Sequence, residues 1–441
     1  MKPSSQPDRG FTPGWNVHAR ARKLIGLTGL CLIAVATRLT AQDQPATEPA
    51  PEVAPPPPET ARLPQDLQQP QVGGTQVVSP LASAPSRTRE TPPLKWGFLS
   101  LQPTLSNQFM DASSLQIRPG QQESTTIDVI SAGLLFNFGN HWTLDYSPTQ
   151  TYYSTRFMRD TFDQSARFNG TTTYGAWTFG LSESYADTMP VLVETAQQTK
   201  QRTWLTTVDL AYELNSRLLL DTSFSYNSLS ADVFNSSRAW STSDYLHFAA
   251  APELDLALGV GAGYIAVAGP DMTYTRPQAQ VGWRPTRKLT LDVQTGVENR
   301  KFRSGNRGDL SSLTFGASLT FRPVDTTSLT LGSTRSVAPS YFTDQITRGT
   351  DWTIGLDQRL LEVLRLGLSY GEQKTSYLST ATASSGLSRS DTVDSLGIRL
   401  STVLLRRGTL ALLYSYTHDA SNDAAYSFNS HQVGLEVGWR F

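Results

Sequence analysis

The stretch Ser427–Phe441 restricts the folds open to this chain more than any other. From Val433 onward, Val433, Leu435, Val437, Trp439 and Phe441 fall on one parity, and Gly434, Glu436, Gly438 and Arg440 on the other. Side chains alternate across an extended strand, so one face is wholly apolar while the other carries an acid and a base. Burying that second face in a packed interior would cost on the order of several kcal/mol per ion. Lipid on one side and water on the other removes the cost.

The same polarity recurs upstream. Leu289, Leu291, Val293 and Val297 oppose Asp292, Gln294 and Glu298; Leu313, Phe315, Ala317, Leu319 and Phe321 oppose Thr314, Gly316, Ser318, Thr320 and Arg322. Leu218, Leu220, Phe224 and Tyr226 oppose Asp221, Ser223 and Ser225, and Leu396, Ile398 and Leu400 oppose Gly397 and Arg399. Period-two runs bounded by turn residues predict about eighteen strands. They begin near Trp96, Glu123, His141, Thr161, Ala176, Gln201, Arg217, Thr242, Leu256, Thr273, Lys288, Asp309, Thr326, Thr350, Val363, Asp391, Gly408 and Ser427. Tight connections such as Gly139-Asn140, Asn215-Ser216 and Pro323-Val324 alternate with longer ones such as Thr188–Lys200, Val337–Thr347 and Ala420–Ala425. Short turns at one end and long loops at the other predict an all-β fold, an antiparallel up-and-down transmembrane β-barrel with both termini on the periplasmic side.

Hydrophobic residues make up 38% of the chain and the mean hydropathy is -0.31, too polar for a membrane bundle of helices but not for a barrel, where every second strand residue is polar. A formal charge of -1 leaves no nucleic-acid footprint. The single cysteine, Cys31, lies in an apolar run, Leu24–Ala36, that follows Arg20, Arg22 and Lys23. A run of about 13 residues suits a cleaved signal peptide rather than a membrane helix, and residues 1–41 are expected to be one, with export through the general secretion pathway. Leu30, where a lipoprotein signal wants a small residue, argues against lipidation of Cys31. Without that segment the chain has no thiol for a disulfide or a thiolate metal site. Residues 42–95 are Pro-rich, with Pro55–Pro58 at their centre, and are expected to be a disordered periplasmic linker. The barrel is expected over 96–441.

The strand parity places Asp145, Asp209, Glu213, Asp221, Asp255, Asp292, Glu298, Asp357 and Glu436 with Arg284, Arg300, Arg322, Arg365, Arg399 and Arg440 on the inner face, as candidate pore-lining residues. A barrel of about eighteen strands is wide enough for an aqueous channel, and the acidic excess weakly favours cations or neutral solutes. Trp142, Trp177, Trp283, Trp439 and Phe441 lie near short turns, and Trp204, Trp240, Trp352 and Tyr377 near long loops, which predicts two aromatic girdles. His418 and His431 share the outward parity. No nucleophile–base constellation, phosphate loop or zinc helix is present, so no enzyme activity, cofactor or metal is expected. No loop is long enough beside its neighbours to predict one folded into the lumen, and the Pro-rich lead contains no plug domain.

The terminal strand, with Val437, Trp439 and Phe441, resembles the β-signal of bacterial outer-membrane barrels, which implies recognition by the barrel assembly machinery. Leu101-Gln-Pro-Thr-Leu-Ser-Asn-Gln-Phe, Leu144-Asp-Tyr-Ser-Pro, Tyr152-Tyr-Ser-Thr-Arg-Phe, Phe168-Asn-Gly-Thr and Leu181-Ser-Glu-Ser-Tyr are similar to the putative β-barrel porin family (type 2) over the first third of the barrel. The resemblance implies a Gram-negative outer-membrane location, in contact with lipid and lipopolysaccharide. The function expected is a porin-like channel for passive diffusion of small hydrophilic solutes. The alternative is an accessory barrel of an exopolysaccharide assembly system, with polysaccharide-secretion proteins as partners.

Overall fold

A computed structural model describes residues 94–303, 308–361, 363–380, 389–405 and 407–441. The expected signal peptide and all but the last two residues of the expected linker lie outside the described residues. The strands are β1 (Leu94–Trp96), β2 (Leu99–Arg118), β3 (Gln121–Phe138), β4 (Trp142–Tyr153), β5 (Thr161–Tyr174), β6 (Trp177–Thr188), β7 (Val191–Leu192), β8 (Gln197–Gln198), β9 (Gln201–Asn215), β10 (Leu218–Ala231) and β11 (Ser237–Ala251). They continue with β12 (Leu254–Val267), β13 (Met272–Thr286), β14 (Leu289–Phe302), β15 (Leu310–Phe321), β16 (Thr327–Pro339), β17 (Gln345–Leu360), β18 (Leu364–Ser379), β19 (Ser390–Leu404), β20 (Gly408–Ser421) and β21 (Phe428–Arg440). Setting aside the short β1, β7 and β8, each strand pairs antiparallel with the next, and β21 pairs back onto β2, closing an 18-strand barrel.

Closure is a matter of backbone chemistry. Lipid offers no hydrogen bonds, so an open sheet edge cannot stand in it. The seam runs in register from Thr104↔Arg440 to Ser113↔His431. At its periplasmic end the Phe441 N–H donates to the Pro103 carbonyl at 3.1 Å. Below that point β1 takes over the same edge of β2, with Leu94 opposite Leu101 and Trp96 opposite Leu99. The first described residues are thus part of the sheet, two residues ahead of the expected start. Gly434 allows the close approach at the seam, since a Cβ there would lie 2.8 Å from the Phe109 carbonyl oxygen and 2.7 Å from Met110 Cγ.

The parity read from the sequence is the parity of the wall. Val433, Leu435, Val437, Trp439 and Phe441 are exposed while Gln432, Gly434 and Gly438 are buried. The buried parity is the concave one, because contacts between non-adjacent strands occur only inside a closed wall. Gln294 Nε2 on β14 donates to Tyr245 Oη on β11 at 2.6 Å, and Arg399 on β19 pairs with Glu436 on β21 at 2.7 Å.

Strand starts predicted from alternation fall within a few residues of those observed. The larger misses, Thr242 for Ser237 and Thr350 for Gln345, lie at the loop end. Wall strands run from 12 residues in β4 to 20 in β2, against roughly 9–11 needed to cross a bilayer. The surplus projects beyond the apolar belt, where nothing imposes alternation. For the same reason the polar stretch from Asp111 to Gln122, which the sequence pattern alone would give to a longer connection, is mostly strand: β2 continues to Arg118 through irregularities between Ala112 and Leu115, with Ser114 at φ 55.

Deleting Phe441 removes a seam hydrogen bond and a rim aromatic together. Heat-modifiable gel mobility after outer-membrane extraction should show several-fold less folded protein for the truncated chain; unchanged folded yield would place the determinant of closure elsewhere.

Candidate functional site

Inside the wall, Arg365 Nε lies 2.7 Å from an Asp357 carboxylate oxygen, and the Arg399 guanidinium grips both oxygens of Glu436 at 2.7 and 2.8 Å. Asp255 meets His247 Nδ1 at 2.7 Å. Asp145 stands in register with Arg167 and is exposed. Arg440 and Glu213 share the inward parity near the periplasmic rim, and Asp209, Asp221 and Asp292 sit on the wall between β9 and β14. Five candidates differ from expectation in accessibility or placement, among them Asp209 and Asp292, which are buried on the wall. Glu298 and Arg300 face inward but are buried against each other, with Arg300 Nη2 donating to Glu298 at 2.7 Å and to the Val337 carbonyl at 2.9 Å. Arg322 lies one residue past the end of β15, exposed in the rim turn rather than on the wall. His247, Arg167, Arg276 and Arg359 join the inward set, and their strand parity was the available signal.

The interior is lopsided. From β11 to β14 the inward side chains lean on one another: Gln278 Nε2 donates to Ser243 Oγ at 2.9 Å, Arg276 Nε to Gln278 Oε1 at 2.8 Å, and Gln294 to Tyr245. Tyr245, Tyr274, Gln278 and Gln294 are buried, whereas Asp145, Asp357 and Arg365 across the barrel keep substantial exposure. One sector of the wall is packed and the other open.

The connection between β6 and β9, expected to be an ordinary external loop, turns inward. Residues 191–196 are all buried. β7 and β8 form a short hairpin, Val191↔Gln198 and Leu192↔Gln197. Its tip closes through Ala196, left-handed at φ 55, whose N–H donates to the Leu192 carbonyl at 2.7 Å. Val191 and Val193 join a buried cluster with Met110, Leu115, Ile127, Val393 and Phe428, drawn from β2, β3, β19 and β21. Leu192 packs with Leu229, Ala231 and Tyr341. Apolar side chains that avoid water pull the loop over the mouth.

A polar latch holds its tip to the far side. β17 and β18 stand roughly opposite β6 and β9 around the barrel. From the β16–β17 loop, Ser340 Oγ and the Tyr341 N–H donate to Glu194 Oε1, the latter at 2.8 Å. Arg389, ahead of β19, donates to the Glu194 carbonyl at 2.7 Å and the Val193 carbonyl at 3.3 Å. Arg389 is itself fixed by the Asp391 carboxylate and by the rings of Tyr377 and Tyr426, 4.6 and 3.4 Å from its guanidinium carbon. Tyr377 is therefore a buried part of this latch and not of the outer girdle. The other expected girdle tryptophans, apart from half-buried Trp142, are exposed, and His431 is exposed on the outward face beside Tyr414 and Tyr416. The sequence signal for the inward loop is Val191-Leu192-Val193, an apolar triplet where an external loop needs none.

Residues 275–441 match the family described as "Putative beta-barrel porin 2". The family resembled in sequence is thus the one matched. The match falls on the second half of the wall, from within β13 to β21, rather than on the first third where the quoted motifs lie. No curated protein matches the chain. Solved structures similar to it include OccK11 (OpdR) of Pseudomonas aeruginosa, at 13% identity, TM-score 0.40, 78% of this chain and 96% of that one. OccAB4 of Acinetobacter baumannii matches at 12% identity and TM-score 0.42, over 78% of this chain and 98% of that one. Scores this low tie no residue of this chain to theirs.

Burial pushes the Glu194 carboxyl up from 4.5 to about 7, against the lowering effects of Ser340, Tyr341 and Arg389. The docked loop therefore binds a proton more tightly than a released one, so docking is strongest below about pH 4.5, weakens as pH rises toward 7, and levels off above. Hydrogen exchange of residues 189–200, corrected for intrinsic rates, should show protection falling across that window in the wild type and staying flat in Glu194→Gln. Protection independent of pH in the wild type would show that Glu194 does not control docking.

Proposed function

We propose that this barrel is a channel for passive diffusion of small hydrophilic solutes across the outer membrane, with the inward loop 189–200 as its constriction. The observation that carries the reading is the pairing of a charged, partly exposed inner wall with a loop latched across the mouth through Glu194. Ion pairs on the inner face are the ordinary device for lining a water-filled pore, since charges there must meet water or one another. The Asp357–Arg365 and Glu436–Arg399 pairs are each neutral, so selection among ions is weak, with cations or neutral solutes mildly favoured by the remaining acids. The loop restricts size and the open sector of wall provides the path.

Planar-bilayer recordings test this directly. Wild-type protein should give small, discrete conductance steps with modest cation preference in a salt gradient, and a chain lacking residues 190–199 should conduct several-fold more. Absence of conductance in the loop-deleted barrel, with folding confirmed by heat-modifiability, would exclude a channel.

A further inference from the structure

The outer surface carries a second constellation, at the loop ends of β10 to β14. Tyr226, Trp240 and Tyr264 stand in one cross-strand row, Tyr226↔Trp240 and Trp240↔Tyr264, with ring centroids 5.3 and 5.9 Å apart. They share the outward parity of the exposed Phe224, Leu246 and Val260. Tyr264 Oη donates to an Asp271 carboxylate oxygen at 2.6 Å, which pins the last ring of the row. Above this shelf lie three exposed cations. Arg238 is two residues loopward of Trp240; Lys301 is opposite Thr273, itself opposite Tyr264; and the Arg303 guanidinium carbon is 5.0 Å over the Tyr264 ring. None of the three forms an ion pair with a described carboxylate. Arg202, above Trp204 on β9, is different, since it is 3.2 Å from Asp187. The described acids around the patch are Asp271, tied to Tyr264, Asp244, four residues below Trp240, Asp309, next in register after the Arg300↔Leu310 pair beside Lys301, and Asp232 in the loop after β10, so the three cations are grouped above the rings with acids at the margin of the patch.

We propose that this surface binds a phosphorylated glycolipid of the outer leaflet, its phosphate held by Arg238, Lys301 and Arg303 and its sugar seated on the Tyr226–Trp240–Tyr264 shelf. Guanidinium groups bind phosphate through paired, charge-assisted hydrogen bonds. Aromatic rings with polar edges settle at headgroup depth, and their flat faces suit a sugar ring better than a glycerol backbone. Phe224, Leu246 and Val260 continue the surface toward the acyl chains. The end of the barrel opposite both termini is the external one, where such a lipid is found. Nothing in this site depends on whether the lumen conducts.

The test is native mass spectrometry of the full-length, detergent-purified protein with four probes: bisphosphorylated lipid A, its dephosphorylated form, phosphatidylglycerol and inorganic phosphate. Wild type should retain bisphosphorylated lipid A at least ten-fold better than either other lipid. Combined Arg238→Gln, Lys301→Gln and Arg303→Gln should lose that preference, while Lys374→Gln, an exposed outward cation on β18 paired with Glu372, should keep it. Heat-modifiability checks folding, and Arg238→Gln alone, expected to lose a several-fold share, replaces the triple variant if it does not fold. Unchanged retention by the variants overturns the proposal. So does equal retention of phosphatidylglycerol or dephosphorylated lipid, and so does saturation by inorganic phosphate alone.

Discussion

The need to pair every backbone N–H and C=O in a solvent that offers no hydrogen bonds organises this molecule. It rules out an open sheet, obliges β21 to find β2, and places the seam at Thr104–Ser113 against His431–Arg440. Where β21 ends, β1 covers the edge of β2 that would otherwise be left bare. Once the wall closes, strand parity sorts side chains without further choice. The apolar set meets lipid, and the charged set faces the interior, where its members meet water or one another. Asp357–Arg365, Glu436–Arg399 and Glu298–Arg300 are ion pairs of that inward set.

What distinguishes this barrel from a bare tube is the use of the excess strand length and loops at the external end. Three buried apolar clusters lie there: around Val191 and Val193, around Ile265 and Ile346, and around Leu192 and Tyr341. Together they make a small core across the mouth, of the kind a soluble domain would build. Glu194 is one of the acids buried at that core, with Asp391 and Asp419. A carboxyl buried among apolar neighbours costs free energy unless hydrogen-bonded or protonated, and the Ser340 and Tyr341 donors with Arg389 nearby only partly offset the cost. If the loop is the constriction proposed above, such a marginal contact gives its docking a dependence on pH that an all-apolar tip would lack.

The wall was legible in the sequence because lipid enforces a two-residue period, and the last strand, with Val433 to Phe441 on one side and Glu436 and Arg440 on the other, shows that period without a slip. Strand number and the polarity of each hairpin followed from it. The mouth was not legible to the same degree. Val191-Leu192-Val193 is too short an apolar run to be told from a stray strand, and Glu194, Ser340 and Arg389 are brought together from separated loops by barrel closure alone. Tyr377 was misplaced for a related reason: its distance from the turn suited a girdle, but beyond the membrane β18 follows the latch and not the lipid. Arg300 shows the opposite limit, since parity set its direction correctly but could not reveal that Val337 and Glu298 bury it.

The central claim is that loop 189–200 closes a conducting barrel by docking Glu194 against Ser340. A Glu194→Cys, Ser340→Cys variant, bridged with a short bis-maleimide and recorded in planar bilayers, tests it most directly, because apart from Cys31 the chain has no competing thiol. The unbridged variant should open to a conductance several-fold above wild type, and bridging should return it to the low state. Equal conductance before and after bridging would contradict the account.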